Sequence, residues 1–102
     1  MASRLELQSK LEELFPYGKV YFQPPESLKM TVPCIRYSLS DIDLRRANNK
    51  TYTKNHRYSL TLIHKDPDNE IKDLLLDSFE YIEFDSSFVS NNLNHYVYTL
   101  YY

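Results

Sequence analysis

Residues 94–102, NHYVYTLYY, alternate with the two-residue period of a β-strand, yet both sides are apolar. Tyr96, Tyr98, Leu100 and Tyr102 fall on one side; Val97, Thr99 and Tyr101 fall on the other. The run SNNLN ahead of them is turn chemistry. A strand of this kind is either central in a covered sheet or part of a contact with another chain. Ten of the 102 residues are Tyr and none is Trp. Tyr is favoured at interfaces, and this surplus exceeds what one small core is expected to bury. Much of the strand is therefore expected in the core. Part of the surplus, assigned to Tyr96, Tyr98, Leu100, Tyr101 and Tyr102, is expected at a subunit boundary.

The remaining segments predict an α+β domain over residues 1–102, with a largely antiparallel sheet, a long β-hairpin and two packed helices in the order α-β-β-β-α-β-β. Leu7, Leu11, Leu14 and Phe15 share one face of a helix over Ala2 to Phe15, with Ser3 as its N-cap and Pro16 as its stop. A short strand is expected over Val20 to Gln23, followed by the rigid QPPES break. Pro33 to Ser40 and Thr53 to His64 alternate as strands of one long hairpin, with Asn48-Asn49 as its tip. KDPDNEI reads as a helix start, with Asp66 as N-cap and Pro67 first in the helix; Asp68 and Glu70 favour the positive end of its dipole. Strands over Phe79 to Phe84 and Asn94 to Tyr102 close the domain.

Catalytic chemistry finds little footing. The single glycine, Gly18, argues against a phosphate-cradling loop, and the single Cys34 excludes an internal disulfide and a multi-cysteine zinc site. His64, Asp66 and Asp68 are a conceivable metal cluster, but two of them already serve a capping or dipole role. Asp68, Glu70 and Lys72 are nuclease-like fragments crowded into one helix turn, unable to surround a metal. Cys34 with His56 or His95 lacks an oxyanion loop. No enzyme and no cofactor are expected, and a small hydrolase is the least favoured alternative. MASRLELQSKLEELF lacks the apolar core of a signal peptide, and no run approaches the roughly 20 apolar residues of a membrane span. With its lone cysteine, the chain is expected to be made in a reducing cytoplasm.

The net charge of −2 favours neither nucleic acid nor membrane, but the charge is uneven. Arg45, Arg46, Lys50, Lys54 and Arg57 crowd the centre of the hairpin with no acidic residue among them. This is either an ordinary solvated hairpin or an arm that meets DNA or an acidic partner.

Four stretches, VYFQPPES, VPCIRYSLSDID, RYSLTLIHKDPDNEI and NNLNHYVYTLYY, together resemble a family of small tail-completion proteins of long-tailed, siphovirus-type bacteriophages, often called minor capsid or tail-joining proteins. The resemblance runs from about Val20 to Tyr102. It implies a tail-terminator-like domain: a non-enzymatic structural protein of the virion tail or neck, made in the bacterial host. It further implies a homo-hexameric ring that caps the tail tube protein and offers a surface to the head–tail connector proteins, with non-specific contact to DNA in the lumen. A head-side connector (stopper) protein is the nearest alternative, and a small nucleic-acid-binding protein using the basic hairpin is another.

Overall fold

The computed structural model describes residues 4–47 and 51–102, with backbone alone for 43–47 and 51–55. The elements are α1 (Arg4–Leu14), β1 (Lys19–Phe22), β2 (Cys34–Ala47), β3 (Thr51–His64), α2 (Ile71–Ser78), β4 (Ile82–Ser90) and β5 (Leu93–Tyr101). They form an α+β fold with one five-stranded sheet, ordered β1-β2-β3-β5-β4. Only β1 and β2 run parallel. The element order is the one read from the sequence. Ser3 and Asn48-Asn49 lie outside the described residues.

Alternation places three apolar rows on one face of the sheet: Ile35–Leu62–Tyr96, Tyr37–Leu60–Tyr98 and Leu39–Tyr58–Leu100. All but Leu39 are buried. Both helical segments cover this face, with Leu7, Leu11 and Phe15 on one side and Leu75 and Phe79 on the other. The α1 spacing thus behaves as expected: Leu7 and Leu11 are fully buried, and the helix ends at Leu14 before Pro16. Tyrosine tips tie the layers together. The Tyr37 hydroxyl donates to Gln8 Oε1 and accepts from Arg4 Nη1 at 3.2 Å. The Tyr98 hydroxyl donates to the Lys72 carbonyl at 2.9 Å, and that of Tyr96 to the Pro67 carbonyl at 3.2 Å.

Two expected boundaries move. Helix α2 begins at Ile71, five residues after Asp66. Asp66 Oδ1 instead accepts the Asp68 N–H at 2.9 Å, a local turn that competes with helix. The buried Asn69 does the capping: its Oδ1 accepts the Lys72 N–H at 3.1 Å, and its Nδ2 donates to the Asp66 carbonyl at 2.8 Å. The strand expected over Phe79 to Phe84 is also shifted. Phe79 is a core plug at the end of α2, edge-on to Tyr102 at 6.1 Å, and β4 runs on through DSSFVS to Ser90. The cause is the two-residue turn at Asn91-Asn92, with φ of 53° and 63°, which pins Ser90 opposite Leu93.

Gly18 follows α1 in the turn to β1. A Cβ at this position would fall inside the buried ring of Phe15. We expect Gly18→Ala to lower stability by about 1–3 kcal/mol through overpacking, read as a reduced urea midpoint.

Candidate assembly interface

Strands β2 and β3 outrun the sheet. β3 pairs with β5 as far as Arg57–Tyr101, and the His56 carbonyl still accepts the Tyr102 N–H at 3.0 Å. From Asp43–Asn55 to Ala47–Thr51, β2 and β3 pair only with each other among the described residues. At ~3.4 Å per residue this ribbon adds about 14 Å beyond the sheet. The whole chain measures 51 × 30 × 24 Å.

The ribbon carries the basic stretch. Arg45, Arg46 and Lys54 lie on its two strands by backbone position, with Arg45 opposite Thr53 and Lys54 opposite Leu44. Their side chains, and Lys50 altogether, lie outside the described residues. Arg57 stands at the base, where Nη2 meets Asp41 Oδ2 at 3.5 Å. Both side chains are substantially exposed, so this pair contributes little to stability. A register shift at Ser40 lies beside it, where β2 leaves the body of the sheet.

The expected subunit contact on the last strand needs correction at Tyr96, Tyr98 and Leu100. β5 lies between β3 and β4, so its backbone is paired on both sides. Tyr98 and Leu100 are fully buried and Tyr96 nearly so, covered by the chain's own helices. Tyr101 and Tyr102 are half-buried; Tyr102 packs against the chain's own core. Tyr96 and Tyr98 are accommodated in the core because each buries its ring and keeps its hydroxyl bonded to a backbone carbonyl. No second copy is needed to cover Tyr96, Tyr98 or Leu100.

The exposed apolar surface lies one strand further out, on β4. This strand is at the sheet edge and its residues from Glu83 to Ser90 are all exposed. Phe84 and Phe88 are each 49% exposed and Val89 is 70% exposed. Sequence reasoning missed them because the alternation breaks at Asp85, where a bulge shifts the register between Phe84 and Ser86. Phe84 therefore shares the helix-covered face with Tyr98, whereas Phe88 lies on the opposite face, stacked on His95 at 4.6 Å. Asp85 is held at the bulge by the Thr99 hydroxyl, which donates to Oδ2 at 2.6 Å.

The other candidates are placed as follows. His64 Nδ1 accepts the Asp66 N–H at 3.0 Å, so this ring and the Asp66 carboxylate both serve the turn. Lys72 Nζ donates to the carbonyls of Pro67 and Asn69 at 3.2 and 3.0 Å, leaving Asp68 and Glu70 aside. Among the described residues no three His, Cys, Asp or Glu side chains gather as a metal site. Cys34 is fully buried, and desolvation pushes its thiol pKa up, partly offset by Arg36. His95 lies in the same row with Ile63 between them, two strand spacings or about 10 Å away. His56 is on the other face, stacked with Tyr58. Neither histidine is brought to the thiol.

A shallow cleft of about 350 Å³ opens on the face away from the helices, lined by Gln23, Pro24, Arg36, Ser38, Ser59 and Thr61. No helix of the described residues is long and apolar enough to cross a membrane. No protein-family model matches the chain, and no curated protein matches it significantly.

Two outcomes follow from the placement of β5. Leu100→Ala should cost about 2–5 kcal/mol in the isolated chain, read by urea unfolding at concentrations where no association occurs. The second concerns pH. Burial raises the phenol pKa values of Tyr37, Tyr58 and Tyr98 above the ordinary tyrosine range. Desolvation is the main cause at each, and at Tyr98 the Asp73 carboxylate and Tyr96 add to it. A phenol whose folded pKa is raised stabilises the fold fully below its unfolded pKa and loses that contribution as pH rises through the folded value. Stability should therefore hold up to about pH 10, the unfolded phenol pKa, and fall above it, read as urea midpoints from about pH 8 to about pH 11. The fall should be shallower in Tyr98→Phe.

Proposed function

We propose that the chain is a non-catalytic structural protein of the tail neck of a long-tailed bacteriophage, forming the ring that ends the tail tube and presents a surface to the head. The observation that carries this reading is the two-stranded arm standing off the end of a five-stranded sheet. A ribbon with no third strand buries little of its own surface, and such an element is stable in a small domain when it packs against something else. The exposed edge β4 adds a second surface of the same kind. Two different unsatisfied surfaces on one chain suit head-to-tail association, the geometry that closes into a ring. The four stretches that resemble tail-completion proteins support the same assignment.

In this reading the helices and the three apolar rows make a rigid body, and the arm and the edge make the contacts. The ring takes the last layer of the tube on one side and the connector on the other, with DNA passing through its centre. Chemistry at a single residue plays no part; function lies in shape and in repeated weak contacts.

Electron microscopy of virions carrying a labelled copy tests this. The label should sit at the head–tail junction. Phage lacking the gene should accumulate tails of abnormal length or finished tails without heads. Unlabelled virions together with normal joined particles from the deletion would overturn the assignment.

A further inference from the structure

Charge divides unevenly between the arm, which is basic beyond Asp43 at its base, and the β4–α2 side of the sheet. From Leu44 to Lys65 there are six basic residues (Arg45, Arg46, Lys50, Lys54, Arg57 and Lys65) and no acidic one. From Asp73 to Tyr102 there are five acidic residues (Asp73, Asp77, Glu80, Glu83 and Asp85) and no Lys or Arg. The first stretch holds the distal end of β2 and all of β3, and the second holds most of α2 with β4 and β5.

We propose that the basic arm of one copy seats on the β4–α2 side of the next copy. This rests on the ring-forming reading above and names the contact that reading requires. The receiving side has a groove of about 240 Å³ between α2 and β4, lined by Lys72, Asp73, Leu76, Phe84, Tyr96 and Tyr98. Leu76 and Phe84 are exposed at its mouth, Asp73 lines it, and Asp77 is exposed one helical turn further along α2. Lys72 is the one cation of the groove, and its ammonium is turned onto the Pro67 and Asn69 carbonyls. The surface is thus apolar with an acidic surround, and its complement is a basic element that also carries apolar groups. The arm supplies Ile42, Leu44 and Tyr52 together with Arg45, Arg46 and Lys54.

A chain does not satisfy this match within itself. β5 stands between β3 and β4 in the sheet, and the ribbon continues past the sheet end along the strand direction. The two complementary surfaces therefore face different ways, and the contact is heterologous: arm of one copy, edge of the next. The bulge at Asp85 interrupts the regular edge, which disfavours unlimited strand-on-strand stacking. Charge then selects the arm over a second β4, because two β4 edges would oppose acidic groups.

Paired charge reversals test the contact. Asp73→Lys with Asp77→Lys alters only the receiving side; Arg45→Glu with Arg46→Glu alters only the arm. Sedimentation velocity of the full chain at low ionic strength should show self-association of the native protein, weakened by added salt. Each double variant alone should associate at least roughly tenfold more weakly, the loss expected when a charged contact is reversed. An equimolar mixture should recover association, since each altered surface then meets its opposite on the other chain. Circular dichroism checks folding, and a variant that does not fold is replaced by its Ser counterpart, for which the weakening itself is the readout. A native chain that stays monomeric up to millimolar concentration, variants that associate like the native chain, or a mixture no better than its components would each overturn the proposal. Restored association by a protein absent from virions would sink the tail assignment alone. Tail capping by a chain indifferent to these reversals would sink the contact alone.

Discussion

The structure depends on one row of the sheet, Tyr37–Leu60–Tyr98. Two rings and a leucine fill the centre of the face that the helices cover, and each phenol passes its hydroxyl to the helical layer. A phenylalanine in either place would fill the volume and leave the helix-side partner without its bond. A smaller polar residue would make the bond and leave a void. Tyr does both, which is why a core of this size carries so many. The adjoining rows, Ile35–Leu62–Tyr96 and Leu39–Tyr58–Leu100, extend the apolar face on either side, and Tyr96 passes its hydroxyl to the Pro67 carbonyl ahead of α2. Tyr37 meets Phe22 at 5.0 Å and Tyr58 at 5.9 Å, so the aromatic packing runs across β1, β2 and β3 without a break.

Much of this is legible in the sequence, because the information is local. Leu7 and Leu11 four residues apart specify the buried stripe of α1, and the alternation of Tyr58, Leu60 and Leu62 specifies the buried face of β3. What escapes is decided by pairing. Asp85 and the two serines after it have poor strand propensity, yet β4 passes through them because Asn91-Asn92 closes a tight hairpin on β5. Likewise Asp66 has the right chemistry for an N-cap, but Asn69 takes that role because it is buried and bonds both to the turn and to the first turn of the helix.

The misplacement of the candidate interface has the same origin. A strand apolar on both faces is ambiguous between centre and boundary, and composition cannot decide the position of a strand in the sheet order. Once β4 forms outside it, β5 is central and its Tyr96 and Tyr98 are interior. The surface left open then belongs to a strand whose periodicity is broken by a bulge and whose side chains are mixed. The basic arm was legible as a charge run. Its standing as a projecting ribbon depended on where the third strand stops, which only the Arg57–Tyr101 pairing defines.

These placements separate two tasks within one sheet. The rows between β2 and β5 are satisfied by the chain's own helices, and changes there are felt first as loss of stability. The arm and the β4 edge lie at two different limits of the sheet, one beyond its end and one along its side. On β4 the residues from Glu83 to Ser90 are exposed, so Glu83 and Asp85 carry their charge there without full desolvation. In the proposed ring, the arm and the β4 edge sit on one sheet and would meet their neighbours at a fixed angle. That angle is set by sheet twist and strand order, not by any flexible linker. A head-to-tail contact repeated at a fixed angle closes at a definite number of copies when the angle permits, and otherwise winds into a filament. Ring size would then be encoded in the strand pairing between the arm and the edge, above all in the register shifts at Ser40 and Asp85, which set how β2 and β4 leave the plane of the sheet.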